Sequence, residues 1–179
     1  MKTHIAILRG INVGGKRKIL MADLKLLFQD LGFADIETYI QSGNVVFKAP
    51  TSDKLEHLIK KAIQEKYGFE VPTIVRSLNE WEKSISTNPF LSSENEGIER
   101  MHLTFLKETP KQENIELAEA FERGNDQLSI VGKDVFLLLE GKYSQSKLSN
   151  QFFEKKLKVE ATTRNWKTVK KLLEIASKN

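Results

Sequence analysis

The chain has 179 residues, 40% hydrophobic and 29% charged, with a formal net charge of +4 and no cysteine. That is enough apolar material for one domain or two small ones, and the missing thiols exclude disulfide frameworks, thiolate zinc sites and cysteine nucleophiles together. Any chemistry must rest on oxygen and nitrogen. The charge is uneven: residues 1–20 carry Lys2, Arg9, Lys16, Arg17 and Lys18 with no acid, residues 94–122 are rich in glutamate, and residues 142–171 turn basic again. Both ends of the chain can therefore contribute to a positive surface, or simply to solvated faces.

The first apolar run, "HIAILRG", has β character. It meets Arg9 too early for a signal segment and is far short of the ~20 residues of a membrane span, so a cytoplasmic protein without a membrane partner is expected. "MADLKLLFQDLG" follows, with Leu24, Leu27, Phe28 and Leu31 at helical spacing and Gly32 where a C′ glycine belongs. "IETYIQSGNVVFKA" reads as two strands broken by Ser42, Gly43 and Asn44. "SDKLEHLIKKAIQEKYG" places Leu55, Leu58, Ile59, Ala62 and Ile63 on one helical face, with Asp53 and Glu56 spaced as a capping box. "VPTIVRS" closes a β-α-β-β-α-β order.

A polar connector over residues 84–99 precedes a second pass of the same kind. "MHLTFLK" reads as a strand, "KQENIELAEAFERG" as a helix ending at Gly124, and "QLSIVGKDVFLLLEG" as a hairpin turning at Gly132, Lys133 and Asp134. "SKLSNQFFEKKL" is a second amphipathic helix and "VEATT" a short last strand. "RNWKTVKKLLEIASK" closes as a helix with Trp166, Val169, Leu172, Leu173 and Ala176 inward. The expected fold is α+β: two tandem ferredoxin-like units with antiparallel sheets and an extra C-terminal helix, residues 1–80 and 100–179 joined by 81–99. A single larger α+β sheet is the alternative.

The segment "LRGINVGGKRK" nearly spells a Walker-type phosphate loop. It lacks the Ser or Thr after the lysine, and its helix begins only near Met21, so the loop does not lead into a helix N-terminus. No dinucleotide fingerprint is present either. Gly10, Gly14 and Gly15 nevertheless allow close backbone approach, and Arg9, Lys16, Arg17 and Lys18 add positive charge. In a ferredoxin-like unit the first two strands are parallel, which brings "RGIN" beside "QSGN" at one sheet edge. Arg9, Asn12, Gln41, Ser42 and Asn44 then form an expected polar cluster, unless both turns merely use their glycines.

The motifs "AILRGINVGGKRKILMADL", "YIQSGNVVF", "NPF" at 88–90, "SKL" at 146–148 and "ATTRNWKTV" at 161–169, in that order, resemble the bacterial family of domain of unknown function 1697. The resemblance implies a cytoplasmic protein of two α-β plait units. It implies no catalytic residue.

Within "ATTRNW", Thr162 or Thr163 suits the N-cap of the last helix, placing Arg164 and Asn165 in its first turn, an arrangement that attracts an anion. Trp166 at the head of an apolar stripe is a core residue or a base-stacking one. "YSQSK" offers Ser146 and Lys147 for a phosphate, or a capped helix start. The three histidines are not spaced for metal: His4 and His102 are read just before the first strand of each half, and His57 on a polar helix face. Neither a metal nor a cofactor is implied.

The expected function is binding of a small phosphorylated or carboxylated ligand at a basic, glycine-lined cleft between the units. Arg9, Gly10, Asn12, Gly14, Gly15, Lys16, Ser42, Gly43 and Asn44 would serve from the first, and Ser146, Lys147, Thr163, Arg164 and Asn165 from the second. An RNA or DNA module is the alternative, although Val45, Val46 and Phe47 do not match the aromatic pattern of RNA-binding sheets. An enzyme would use Ser42 or Ser146 as nucleophile, Arg9 or Arg164 as oxyanion clamp and Asn44 as orienter, but no base is evident.

Overall fold

The computed structural model describes residues 1–91 and 97–178. It divides into two compact units, Met1–Lys83 with Lys171–Asn179, and Ser84–Lys170. The first contains β1 (Lys2–Leu8), α1 (Met21–Asp30), β2 (Ala34–Tyr39), β3 (Asn44–Ala49), α2 (Leu55–Tyr67) and β4 (Thr73–Ser77), followed by α3 (Leu78–Ser86). Its strands lie in the order β2-β3-β1-β4, and every neighbouring pair is antiparallel. The second repeats the plan with β5 (Met101–Leu106), α4 (Gln112–Glu119), β6 (Gln127–Val131), β7 (Asp134–Leu138), α5 (Asn150–Leu157) and β8 (Ala161–Asn165); α6 (Trp166–Ala176) comes next, and its residues from Lys171 on belong to the first unit. Its order is β6-β7-β5-β8. Both units are therefore the ferredoxin-like βαββαβ arrangement expected from the order of elements.

From Ile5 to Leu8 strand β1 is continuously apolar, as suits a stretch buried on both faces. Ala6 and Leu8 pack with Val45, Phe47 and Ala49 under α1 and α2, which contribute Leu24, Phe28, Leu55, Ile59 and Ile63. Phe47 is the hub of this core. Phe28 meets it edge-on at 5.1 Å and Phe33 lies tilted at 4.8 Å, spacings at which aromatic pairs add to simple area burial. Ile5, Ile7, Val46 and Ile74, which alternate to the opposite face, are fully buried as well. Leu58 departs from the expected helical face: it is 41% exposed, because Leu55, Ile59 and Ile63 already fill the stripe toward the sheet.

Several helix boundaries differ from the sequence reading. Asp53 and Glu56 do not cap α2. Ser52 Oγ accepts from the amide of Lys54, and Glu56 accepts from the amide of Val75 at 2.9 Å, closing an edge strand. Glu154 of α5 treats the amide of Ala161 in the same way. Such side chains satisfy edge donors that would otherwise offer themselves for pairing. A reciprocal capping box does form at Ser77 and Glu80, at the head of α3. That helix, with fully buried Trp81, occupies the start of the expected connector; residues 92–96 of the connector lie outside the described residues. Helix α4 stops at Glu119, well before Gly124, because Arg123 Nη1 donates to the carbonyls of Glu119 and Phe121 and so takes over the helix end. The hairpin after it turns on Gly132 and Lys133 alone, with Asp134 already paired to Val131.

The last helix starts later than expected. Thr162, Thr163, Arg164 and Asn165 belong to β8, paired with Phe105, Thr104, Leu103 and His102 of β5. Asn165 is the cap, accepting the amide of Thr168 at 2.8 Å. β4 ends identically: Arg76 precedes the capping Ser77 just as Arg164 precedes Asn165, and His4 faces Ser77 in register as His102 faces Asn165. The duplication is thus visible at single residues, although the two sequences share little else.

Candidate functional site

The loop from 9 to 20 leaves β1 at the edge where β2 turns into β3, because β1 and β2 are both antiparallel to β3. The amide of Leu8 donates to the carbonyl of Gly43 at 2.8 Å, and that of Arg9 to Pro72 at 3.0 Å. Asn12 then fastens the loop. Its side-chain amide donates to the carbonyls of Ile19 and Gln41, both at 2.9 Å, while its oxygen accepts the amide of Ile19 at 2.9 Å. Asn12 sits at φ 56°, a left-handed conformation that asparagine tolerates better than most residues. Its backbone amide reaches the carbonyl of Arg17 at 3.2 Å.

Beyond this clasp the chain makes a small exposed hairpin. Val13 bridges Lys16, and Gly14 and Gly15 follow one another at φ 59° and 72°, the signature of a two-residue turn with both central residues left-handed. These two glycines form the tip of the exposed turn. Gly10 and Gly43 are used for close approach. A Cβ on Gly10 would lie 3.2 Å from Arg17 Nη1, so this guanidinium folds back across the main chain. A Cβ on Gly43 would lie 2.7 Å from Ile11 Cδ1. Asn44, wholly buried, donates to the carbonyl of Tyr39 and to Ser42 Oγ.

Arg9, Gly10, Asn12, Ser42, Gly43 and Asn44 are thus gathered at one sheet edge, with Lys16, Arg17 and Lys18 exposed on the projecting loop. The first acid in the chain is Asp23. Among the described residues no carboxylate pairs with Lys16, Arg17 or Lys18.

The expected residues of the second unit make local hydrogen bonds. Ser146 donates to the carboxylate of Asp126 at 2.7 Å and accepts the amide of Leu148, with Lys147 exposed beside it. Thr163 Oγ1 shares a 2.7 Å bond with Thr104 and donates to Asn150 at 2.7 Å. Arg164 donates to the carbonyl of Thr163 from within the strand. Desolvation lowers its pKa to about 10, against the pull of the nearby Tyr143 phenol, so it stays cationic at neutral pH. Trp166 is 1% exposed and belongs to the core; a buried indole has no face for a base. The sheet faces that carry RNA in other ferredoxin-like domains are closed too, since Ile5, Ile7 and Val46 in one sheet and Leu103, Phe105 and Phe136 in the other are fully buried.

His4 and His102 lie inside β1 and β5, not before them. His4 hydrogen-bonds the Lys2 carbonyl at 2.8 Å and stacks on Phe47; His102 stacks on Tyr143 at 5.1 Å. None of the three imidazoles is bonded to Ser42 or Ser146, and no group of three or more metal-ligating side chains occurs among the described residues. Burial lowers the pKa of both His4 and His102, with the Lys2 and Arg100 carbonyls opposing it. A histidine held below its usual value of 6.5 contributes stability that is complete above that pH and is lost as pH falls toward the folded value. Urea unfolding should therefore show a lower midpoint at pH 5.5 than at 7.5. The His4→Phe, His102→Phe double variant should lose less over the same interval, and an unchanged loss would show that carboxylates carry it.

No helix among the described residues is long and apolar enough to cross a membrane. None of the curated proteins matches the chain. A conserved bacterial protein from Streptococcus pneumoniae is similar in structure, with 26% sequence identity, 98% of each chain covered and a TM-score of 0.74. The family model described as protein of unknown function (DUF1697) matches residues 1–136, which include the whole Asn12 loop and the Gly43 hairpin. On that match the chain belongs to the DUF1697 family.

Proposed function

We propose that the protein binds a small phosphorylated or carboxylated ligand at the Gly10 edge of its first unit. The observation that carries this reading is the Arg17 guanidinium folded over Gly10, within a loop that Asn12 holds in place and that carries two further uncompensated lysines, Lys16 and Lys18. Guanidinium and backbone together suit a planar or tetrahedral oxyanion, and a loop already held needs little ordering on binding. Arg9 precedes Gly10 in the chain and Ser42 precedes Gly43, whose carbonyl takes the Leu8 amide, and these two residues are the further candidates for the polar rim. The proposed setting is the cytoplasm, where phosphorylated metabolites are abundant.

A thermal-shift series with inorganic phosphate, pyrophosphate, nucleotides and sugar phosphates tests the reading. A ligand at about 100 times its dissociation constant stabilises the folded state by about 2.7 kcal/mol. Arg17→Ala should abolish most of the shift while leaving the unliganded melting temperature within a degree or two, since the side chain is exposed. The proposal fails if no anion shifts the transition, or if Arg17→Ala shifts as the parent does. The contiguous basic run 16–18 also supports a polyanion reading; oligonucleotide binding that falls steeply with salt would favour nucleic acid over a small ligand.

A further inference from the structure

We infer that the second unit carries a separate site for a small polyol bearing one anionic group, in the hollow between the turn at 121–126 and the segment 140–147. This hollow has a volume of about 230 Å³, below the range typical of drug-sized ligands and therefore suited to a small one. A neighbouring hollow of about 520 Å³ shares the wall formed by residues 123–126. The inference does not depend on ligand binding at the Gly10 edge.

The walls are fixed before any ligand arrives. Asp126 ties the two segments together, accepting the amide of Glu140 at 2.9 Å through one oxygen and the hydroxyl of Ser146 at 2.7 Å through the other. Asn125 donates to Glu140 Oε1 at 3.1 Å. Arg123 pins the turn from behind by bonding the carbonyls of Glu119, Phe121 and Asp126. These contacts leave acceptor capacity, because each carboxylate oxygen of Asp126 and Glu140 can take a second hydrogen bond.

Donors line the hollow as well. Lys142 and Lys147 line the same hollow, both are exposed, and neither pairs with a carboxylate among the described residues. Carboxylates recognise hydroxyl hydrogens, and two ammonium groups recognise a phosphate or carboxylate; a ligand must present both kinds of group to engage both the carboxylates and the lysines. An uncharged sugar offers the ammonium groups only neutral hydroxyl oxygens and forgoes the charge-assisted bond, and a bare anion has no hydroxyl for the carboxylates. The chemistry common to these requirements is that of a sugar phosphate or a sugar acid.

Titration calorimetry at low ionic strength with ribose 5-phosphate, ribose and inorganic phosphate tests this directly. Ribose 5-phosphate should bind at least about tenfold more tightly than either fragment, a difference of about 1.4 kcal/mol. The Lys142→Ala, Lys147→Ala double variant should weaken it by about tenfold or more, and Arg17→Ala should leave it unchanged. Because both lysines are exposed, the double variant keeps its fold, which circular dichroism verifies. The inference is overturned if ribose 5-phosphate does not bind, if inorganic phosphate binds as well as the sugar phosphate, or if Arg17→Ala removes the binding while the lysine variant retains it. That last result would place the ligand at the Gly10 edge instead.

Discussion

Gly43→Ala should lower the free energy of unfolding by about 2–4 kcal/mol, the sum of a packing clash and a backbone penalty. The added methyl would stand 2.7 Å from Ile11 Cδ1 and 2.9 Å from Leu8 Cβ. Ile11 can swing its side-chain end, but Leu8 Cβ is set by a strand paired on both sides, with its own amide held by the Gly43 carbonyl. The residue also sits at φ +91°, which an L side chain rarely adopts. Gly14→Ala is the matched control: φ is +59° there, yet nothing lies within 4 Å of the new methyl, so only the backbone penalty of about 1 kcal/mol applies. Urea midpoints of the two variants separate packing from conformation. Equal losses would mean that the hairpin yields around Gly43, and the close approach of β1 to this turn would not be the constraint described.

Asn12→Ala should cost about 2 kcal/mol. It removes three side-chain hydrogen bonds, including the acceptor for the amide of Ile19, and leaves alanine at φ 56°. Each bond is worth roughly 1 kcal/mol net, and solvent reaches the vacated groups in part, so the three do not add in full. Asn12→Gly isolates the backbone share, because it relieves the left-handed strain without restoring a single bond; it should be less destabilised than Asn12→Ala by up to about 1 kcal/mol. Amide exchange at Ile19 should accelerate in both variants. If it does not, the loop is held by its backbone contacts alone and Asn12 is a turn residue rather than a clasp. Both variants should also weaken the proposed anion binding, since the position of Arg17 over Gly10 depends on where the loop leaves the clasp.

The course of β1, α1, β2, β3, α2 and β4 is legible in the sequence because it rests on short-range patterns: an apolar β run, helical spacing at Leu24, Leu27 and Phe28, glycines ending helices and turns. The repeat in the second half follows from the same patterns. The neighbourhood of "RGIN" and "QSGN" also follows once the order of elements is known, since parallel β1 and β2 must deliver their ends to one edge. The basic loop without acids is a matter of composition, and composition survives folding unchanged.

What tertiary structure decided is the use each polar residue is put to. Thr162 and Thr163 carry good helix-cap chemistry, yet both pair with β5 as part of β8, and the cap falls to Asn165 at the end of that strand. Glu56 is placed for a local cap and instead reaches an amide nineteen positions away in the sequence. Gly14 and Gly15 look like ligand-facing glycines and make a turn, whereas Gly43, one glycine in an ordinary hairpin signal, is where packing tolerates no side chain. Capping, cradling and turning draw on the same few residue types, and local sequence does not rank them. The ranking comes from partners distant along the chain, which are present only when the sheet has formed.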